Sequence, residues 1–168
     1  MAVSQTTFRR VFASYPTSVA VVTAVDEDGV HRGMTCNTLC AVSMDPPLLL
    51  ICVDNKSQTL PALEFSRFFV VNVLAEGADD VSQLFASKEP DKFARFRLDP
   101  DIGGPVVLTD HVVAHAECSV HDMVEAGDHW IVLGQVMYAE VYDRPPLMYY
   151  QRTYAGWPIR PPASPVSS

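Results

Sequence analysis

Apolar and polar positions change period several times along the chain. In "SQTTFRRVFASYP", Phe8, Val11 and Phe12 recur at three- and four-residue spacing, the repeat of one helical face. Ser4 or Thr6 can cap that stretch and Pro16 stops it, so the spacing predicts a short amphipathic helix. "SVAVVTAVDEDGVHRGMT" reads as a β-rich run, a DEDG turn and a return strand, that is, a hairpin. "PLLLICVD" is a short apolar strand fenced by Pro46-Pro47 and by polar residues. "SQTLPALEF" predicts a helix capped by Ser57 or Thr59, with Pro61 tolerated in its first turn. "RFFVVNVLAE" is rich in β-branched and aromatic residues and predicts a strand. "ADDVSQLFASKEPDKFARF" places Val81, Leu84 and Phe85 on one helical face, with Pro90 as the terminator. A loop is expected at Gly103 to Pro105, then strand-like pattern from Val106 to Val141, broken at "EAGDH".

These elements amount to six or more strands with two or three short helices between them. No internal repeat and no regular βα alternation occurs, which argues for an antiparallel barrel or sandwich over a doubly wound sheet. At 168 residues the chain favours one domain, expected over residues 1–157. The remaining Pro- and Ser-rich stretch, 158–168, has little to bury and is expected to be a mobile tail.

Charge removes some function classes. Twelve basic and 20 acidic residues give a net −8, against general nucleic-acid binding, which needs a basic face. A small anionic ligand remains compatible, because local amides and a few cations can hold it. No apolar run reaches the roughly 18–20 residues that cross a bilayer, and "MAVSQTTFRR" lacks a signal pattern. A cytoplasmic protein with no membrane partner is expected. The four cysteines, Cys36, Cys40, Cys52 and Cys118, form no CxxC pair and read as reduced thiols. "HAECSVH" has metal-like spacing, but alternation along a strand turns Cys118 away from His115 and His121, so no metal site is expected.

Three polar groupings carry candidate chemistry. Thr35, Asn37 and the backbone around Thr38 to Cys40 suit the polar edge of a flat, mostly apolar ligand, and suit equally a solvated edge strand. "DNKSQT" ends one strand and opens a helix, so Lys56, Ser57, Thr59 and free amides at the helix start can seat a phosphate or form a plain capped turn. Lys88 follows a later helix and can reach the same anion. His129, after the "AGD" turn, faces either a ligand or solvent. Tyr149, Tyr150, Tyr154 and Trp157 can wall a pocket or pack the core. No nucleophile and base stand together. Chemistry done by a cofactor suits the chain best, although GxGxxG and GxxxxGK[ST] are both absent.

Taken in order, "GMTCNTLCAVSMDPPLLLICVDNKSQTL", "FVVNVLAE", "LFASKEPDKF", "AGDHWIVLGQV" and "PLMYYQRTY" resemble the flavin reductase-like proteins over roughly Phe8 to Tyr154. These are FMN-binding split barrels, often the small reductase component of two-component flavin monooxygenases. The resemblance implies a mainly β, antiparallel Greek-key split barrel with a few short flanking helices. It implies reduction of FMN or FAD by NADH or NADPH, a homodimer, and a transient flavin-dependent monooxygenase partner. Carried over residue by residue, it assigns Thr35, Asn37 and Thr38 to the flavin ring and ribityl chain. Asp54, Ser57 and Thr59, with Lys88, fall to the phosphate end, and His129 to the nicotinamide side as the catalytic residue. The sequence departs from the family at Thr38-Leu39, where Ser-Phe is frequent, at Cys40, where Ser or Thr is frequent, and near Asn55-Lys56, where an Arg-Ser or similar pair is common. The absence of an assignable Arg cluster for a 2′-phosphate favours NADH. A flavin-dependent oxidase with its own substrate, or a non-catalytic flavin or haem binder, are the alternatives.

Overall fold

A computed structural model describes residues 2–96 and 104–157. The chain runs α1 (Gln5–Ala13), β1 (Thr17–Ser18), β2 (Ala20–Val25), β3 (His31–Cys36), β4 (Cys40–Met44), β5 (Pro47–Asp54), α2 (Leu60–Ser66), β6 (Phe68–Leu74), α3 (Asp79–Ala86), β7 (Val112–Ala126), β8 (His129–Val141), β9 (Leu147–Tyr150) and β10 (Thr153–Gly156). The expected 158–168 tail and Gly103 lie outside the described residues.

Seven strands form one antiparallel sheet in the order β3-β2-β6-β7-β8-β5-β4, and β1, β9 and β10 form a smaller one. Within the large sheet the run β6-β7-β8-β5 is a Greek-key order. Its two edges, β3 and β4, are joined by only Asn37, Thr38 and Leu39. The sheet therefore curls until its edges meet, yet no backbone ladder joins them. Thr38 bridges the gap instead: its Oγ1 accepts the Cys52 N–H of β5 at 3.0 Å and lies 3.2 Å from Cys36 Sγ of β3. The architecture is a split barrel, as expected.

Two cores follow from strand alternation. The barrel interior holds Val22, Ile51, Val53, Leu63, Phe69, Val71 and Cys118. The second core, under α3, holds Val21, Leu74, Val81, Phe85, Phe93 and Val112. Gly33 and Gly134 mark close approaches, because a Cβ at Gly33 would lie 2.6 Å from a Phe85 ring carbon and one at Gly134 2.5 Å from the Phe69 ring. Asn72, fully buried in β6, donates to Val21 O and Val106 O and accepts the Leu108 N–H at 2.8 Å. It fastens the segment before β7 to the sheet with three of its hydrogen-bonding sites.

Local signals resolve mostly as expected. Ser4 caps α1, accepting the Thr7 N–H at 3.1 Å. Pro90 does not end α3, however. The helix stops at Ala86, where Ser87 turns extended while its N–H and hydroxyl donate to Leu84 O. The strand pattern expected from Val106 begins only at Val112, after a turn of 3₁₀ helix at Thr109–His111. Cys118 packs inside with Ala116 and Val120. His115 lies on the opposite face, its Nδ1 3.1 Å from Tyr142 Oη. Tyr149 and Tyr154 pack against the second core, while Tyr150 and Trp157 are exposed.

Candidate functional site

One cavity of about 580 Å³ lies along β3, between the start of α2 and the segment after α3. That size falls within the range of small-molecule sites. Its lining includes Thr35, Asn37, Thr38, Asp54, Ser57, Thr59, Lys88 and His129, so all eight residues singled out from the sequence surround one space. The fold explains the convergence. β3 and β5 face each other across the seam, with Cys36 opposite Cys52 through Thr38, and Met34 beside Ser57, whose hydroxyl contacts Met34 Sδ at 3.4 Å. Asp54 and His129 are register partners at the ends of β5 and β8.

Several of these side chains are already engaged. The Thr35 hydroxyl donates to Ser82 O of α3, and Thr38 is committed to the seam. Asp54 Oδ1 accepts the Lys56 N–H at 2.7 Å, closing the turn into α2. Part of the expected row of free amides at the start of α2 is already used. Ser57 N–H goes to Asp54 O, Thr59 N–H to Ser57 Oγ and Leu60 N–H to Ser57 O. Thr59 occupies the N-cap position but makes no capping bond with its side chain, which is buried. With seven residues, α2 is also too short for a strong dipole. Attraction for an anion here thus rests largely on side-chain charge.

Charge there is favourable. Arg32, Lys56, Lys88 and Lys92 line the cavity against only Asp54 and Glu89, in a chain of net −8. Lys92 escaped the sequence reading, since nothing in "EPDKF" distinguishes it from a surface lysine. Its Nζ donates to Phe85 O at 2.8 Å and Gly33 O at 3.2 Å, tying the post-α3 segment to β3. Burial holds its ammonium below the ordinary lysine range, and an anion in the cavity would relieve that cost. His31 was missed too. It stands 5.6 Å from the Phe93 ring and lines the same wall, and its Nδ1 is buried without a partner. A buried, unpartnered ring nitrogen in a cavity wall is a group that a ligand can satisfy.

Beside the Asp54 turn, Asp128 Oδ1 sits 2.7 Å from His129 Nδ1. The bond to His129 holds the Asp128 carboxyl below its usual range, so it is ionised and acceptor-only near neutrality. Nδ1 therefore carries the proton and donates, which leaves Nε2 as the working nitrogen. The cavity thus sets neutral polar groups at Asn37 and Thr38 beside cations at Arg32, Lys56, Lys88 and Lys92, with His129 next to Asp54. A ligand that carries both a flat polar ring and a phosphate finds polar partners for the first and cations for the second in this lining.

The sequence profile described as flavin reductase like domain matches residues 12–158. The chain belongs to the flavin reductase-like family. It is 44% identical over 158 residues to the flavin reductase (NADH) of Kitasatospora aureofaciens, covering 91% of this chain and 82% of the relative. It is 37% identical over 150 residues to the flavin-dependent monooxygenase reductase subunit HsaB of Rhodococcus jostii, covering 89% and 76%. The NADH:FAD oxidoreductase SgcE6 of Streptomyces globisporus, solved with NAD and FAD fragments, superposes with a TM-score of 0.82 at 34% identity, over 96% of each chain. Homologues of this flavin reductase-like chain thus include NADH- and NADPH-named flavin reductases and reductase subunits of two-component monooxygenases. Among its described residues no helix is long and apolar enough to cross a membrane.

Proposed function

We propose that this chain is an NAD(P)H:flavin oxidoreductase, with NADH the favoured donor, that reduces FMN or FAD and passes the reduced flavin to a partner monooxygenase. The observation that carries the reading is the 44% identity to an NADH flavin reductase across nearly the whole chain, joined to a cavity lined by neutral polar groups and four cations. A bound flavin supplies the hydride-accepting ring, and a reduced nicotinamide supplies the hydride. The chain's own part is positioning and charge. Asn37, Thr38 and the backbone beside them meet the ring edge, with Thr35 next to them. Asp54, Ser57 and Thr59 shape the turn at the phosphate end, where Lys88 and its neighbours Lys56 and Lys92 balance the anion. His129, aimed by Asp128, presents Nε2 to the nicotinamide side.

The molecule reads as one split-barrel domain over residues 1–157, cytoplasmic and homodimeric. Support for the homodimer is apolar surface without cover. No residue of α1 is buried, and Phe8, Val11, Phe12 and Tyr15 stand exposed. Met44 of β4 and Met137, Tyr138 and Val141 of β8 do likewise. Patches of this kind mark protein contacts.

The deciding experiment is oxidation of NADH and of NADPH, followed at the nicotinamide absorbance band with FMN, FAD or riboflavin supplied. Flavin-dependent loss is expected, faster with NADH. No flavin-dependent loss with either nucleotide overturns the reading.

A further inference from the structure

Two of the four cysteines, Cys36 and Cys52, line the cavity, while Cys40 is exposed on β4 and Cys118 is buried in the barrel interior. They belong to β3 and β5, whose Cα atoms come within 8 Å across the seam although no ladder joins the two strands. The Cys36 thiol rests against the Thr38 hydroxyl and the N–H groups of Thr38 and Cys52. The same Thr38 oxygen accepts the Cys52 N–H at 3.0 Å. One hydroxyl thus holds both cysteines to a single point of the border. The two thiols differ in access. Burial pushes the Cys36 thiol up, and the hydrogen bonds from Thr38 and Cys52 oppose that only in part. Cys52 is half-buried, so a small reagent entering the cavity meets it first.

We propose that Cys36 and Cys52 are a redox-active pair, which hydrogen peroxide closes into a reversible disulfide across the seam. The Cys52 sulfur attacks one peroxide oxygen. An S–O bond forms, the O–O bond breaks, and the departing hydroxide takes the thiol proton as water. Cys52 is then a sulfenic acid, and the Cys36 sulfur attacks it. An S–S bond forms, the S–O bond breaks, and a second water leaves with the Cys36 proton. Two thiols and one peroxide give one disulfide and two waters. Disulfides in a reducing compartment are transient and redox-sensing rather than structural, and a thiol reductant reverses this one. The consequence rests on the flavin reading above, whereas the pairing does not. Reduced flavin that meets dioxygen before it meets a partner gives hydrogen peroxide, so the oxidant arises from the chain's own product. The new bond takes the place that the Thr38 hydroxyl holds between the two cysteines. Thr38 and Asn37 then shift away from the ring edge, and flavin binds more weakly. Wasted reduced flavin would thus switch off its own supply.

The test treats the reduced full chain with hydrogen peroxide, blocks the remaining thiols, digests without reductant and maps the peptides by mass spectrometry. Wild type is run beside Cys40→Ser and Cys52→Ser. The expected result is that two of the four thiols disappear in wild type, a linked Cys36–Cys52 peptide forms, and dithiothreitol restores all four. Cys40→Ser still forms the link, and Cys52→Ser does not. FMN titrated by fluorescence into the linked protein binds on the order of ten-fold more weakly, the scale of one lost hydrogen-bonding group, and recovers with dithiothreitol. A Cys40–Cys52 link, oxidation of Cys52 to a sulfinic acid with Cys36 left free, or four surviving thiols overturns the proposal. Unchanged FMN affinity in the linked protein overturns the switch. Failure of FMN to bind the reduced protein counts against the flavin reading alone, because the peptide map decides the pairing.

Discussion

A histidine at the first position of a strand takes its aim from the residue before it, and here that residue is Asp128. The hydrogen bond to His129 holds the Asp128 carboxyl below its ordinary value. A carboxyl with a depressed folded value contributes above its ordinary value and loses that contribution as pH falls through the folded one. The alignment of His129 therefore holds across the neutral range and fails only in acid. His129→Ala is expected to slow reduction of bound flavin, on the order of 10²-fold for a misplaced pair, while flavin affinity stays nearly constant. Stopped-flow reduction beside a binding titration checks this, and an unchanged rate with unchanged nucleotide affinity removes His129 from the site. The thiols sort themselves by environment. Cys40 is exposed, whereas burial drives Cys118 up to about 12 from 9.0. Cys40 should react with an aromatic disulfide reagent in the native protein, and Cys118 only on unfolding. A raised folded value also means that stability is lost as pH climbs from 9.0 towards 12, visible as a falling denaturation midpoint in alkali.

Among elements, the join between β3 and β4 matters most for the cavity. Thr38→Val removes the acceptor of the Cys52 N–H. The loss should cost about 1 kcal/mol, with Thr38→Ser restoring it, both read from urea midpoints. Gly33→Ala sets a methyl 2.6 Å from a Phe85 ring carbon. Pushing Phe85 moves α3, and such overpacking costs about 1–3 kcal/mol, with weaker flavin binding as the second readout. These two sites also show where sequence reading stops. Ser4 as a cap, the DEDG hairpin and the opposed faces of His115 and Cys118 were legible, because each depends on neighbours a few residues away. Most of the eight cavity residues were singled out as polar groupings along the chain, and their proposed roles came from motif resemblance, which carries tertiary information that spacing does not. Thr38 as a bridge was not legible, since its partner comes close only after the sheet curls. Lys92 and His31 were invisible for the same reason: Gly33 O lies 59 positions from Lys92, and a buried ring nitrogen is a fact of packing. The amides at the start of α2 looked free because a sequence shows the cap residue but not the turn that consumes the cap's neighbours.

For the whole molecule, uncovered apolar residues on α1, β4 and β8 predict a dimer in solution. Sedimentation velocity should give twice the 18.5 kDa chain mass. Met137→Asp with Val141→Asp should drive the species towards monomer, and wild-type sedimentation as a monomer would contradict the assignment. The split in the barrel has a further consequence, and it is a matter of timing. A border secured by a ladder parts only when several backbone bonds break together, whereas this one is fastened chiefly by a single hydroxyl. Local opening is cheaper where fewer such bonds must break. The cavity mouth lies along that border. For a carrier whose reduced product must depart, dwell time counts as much as affinity, and Thr38→Val is expected to shorten it.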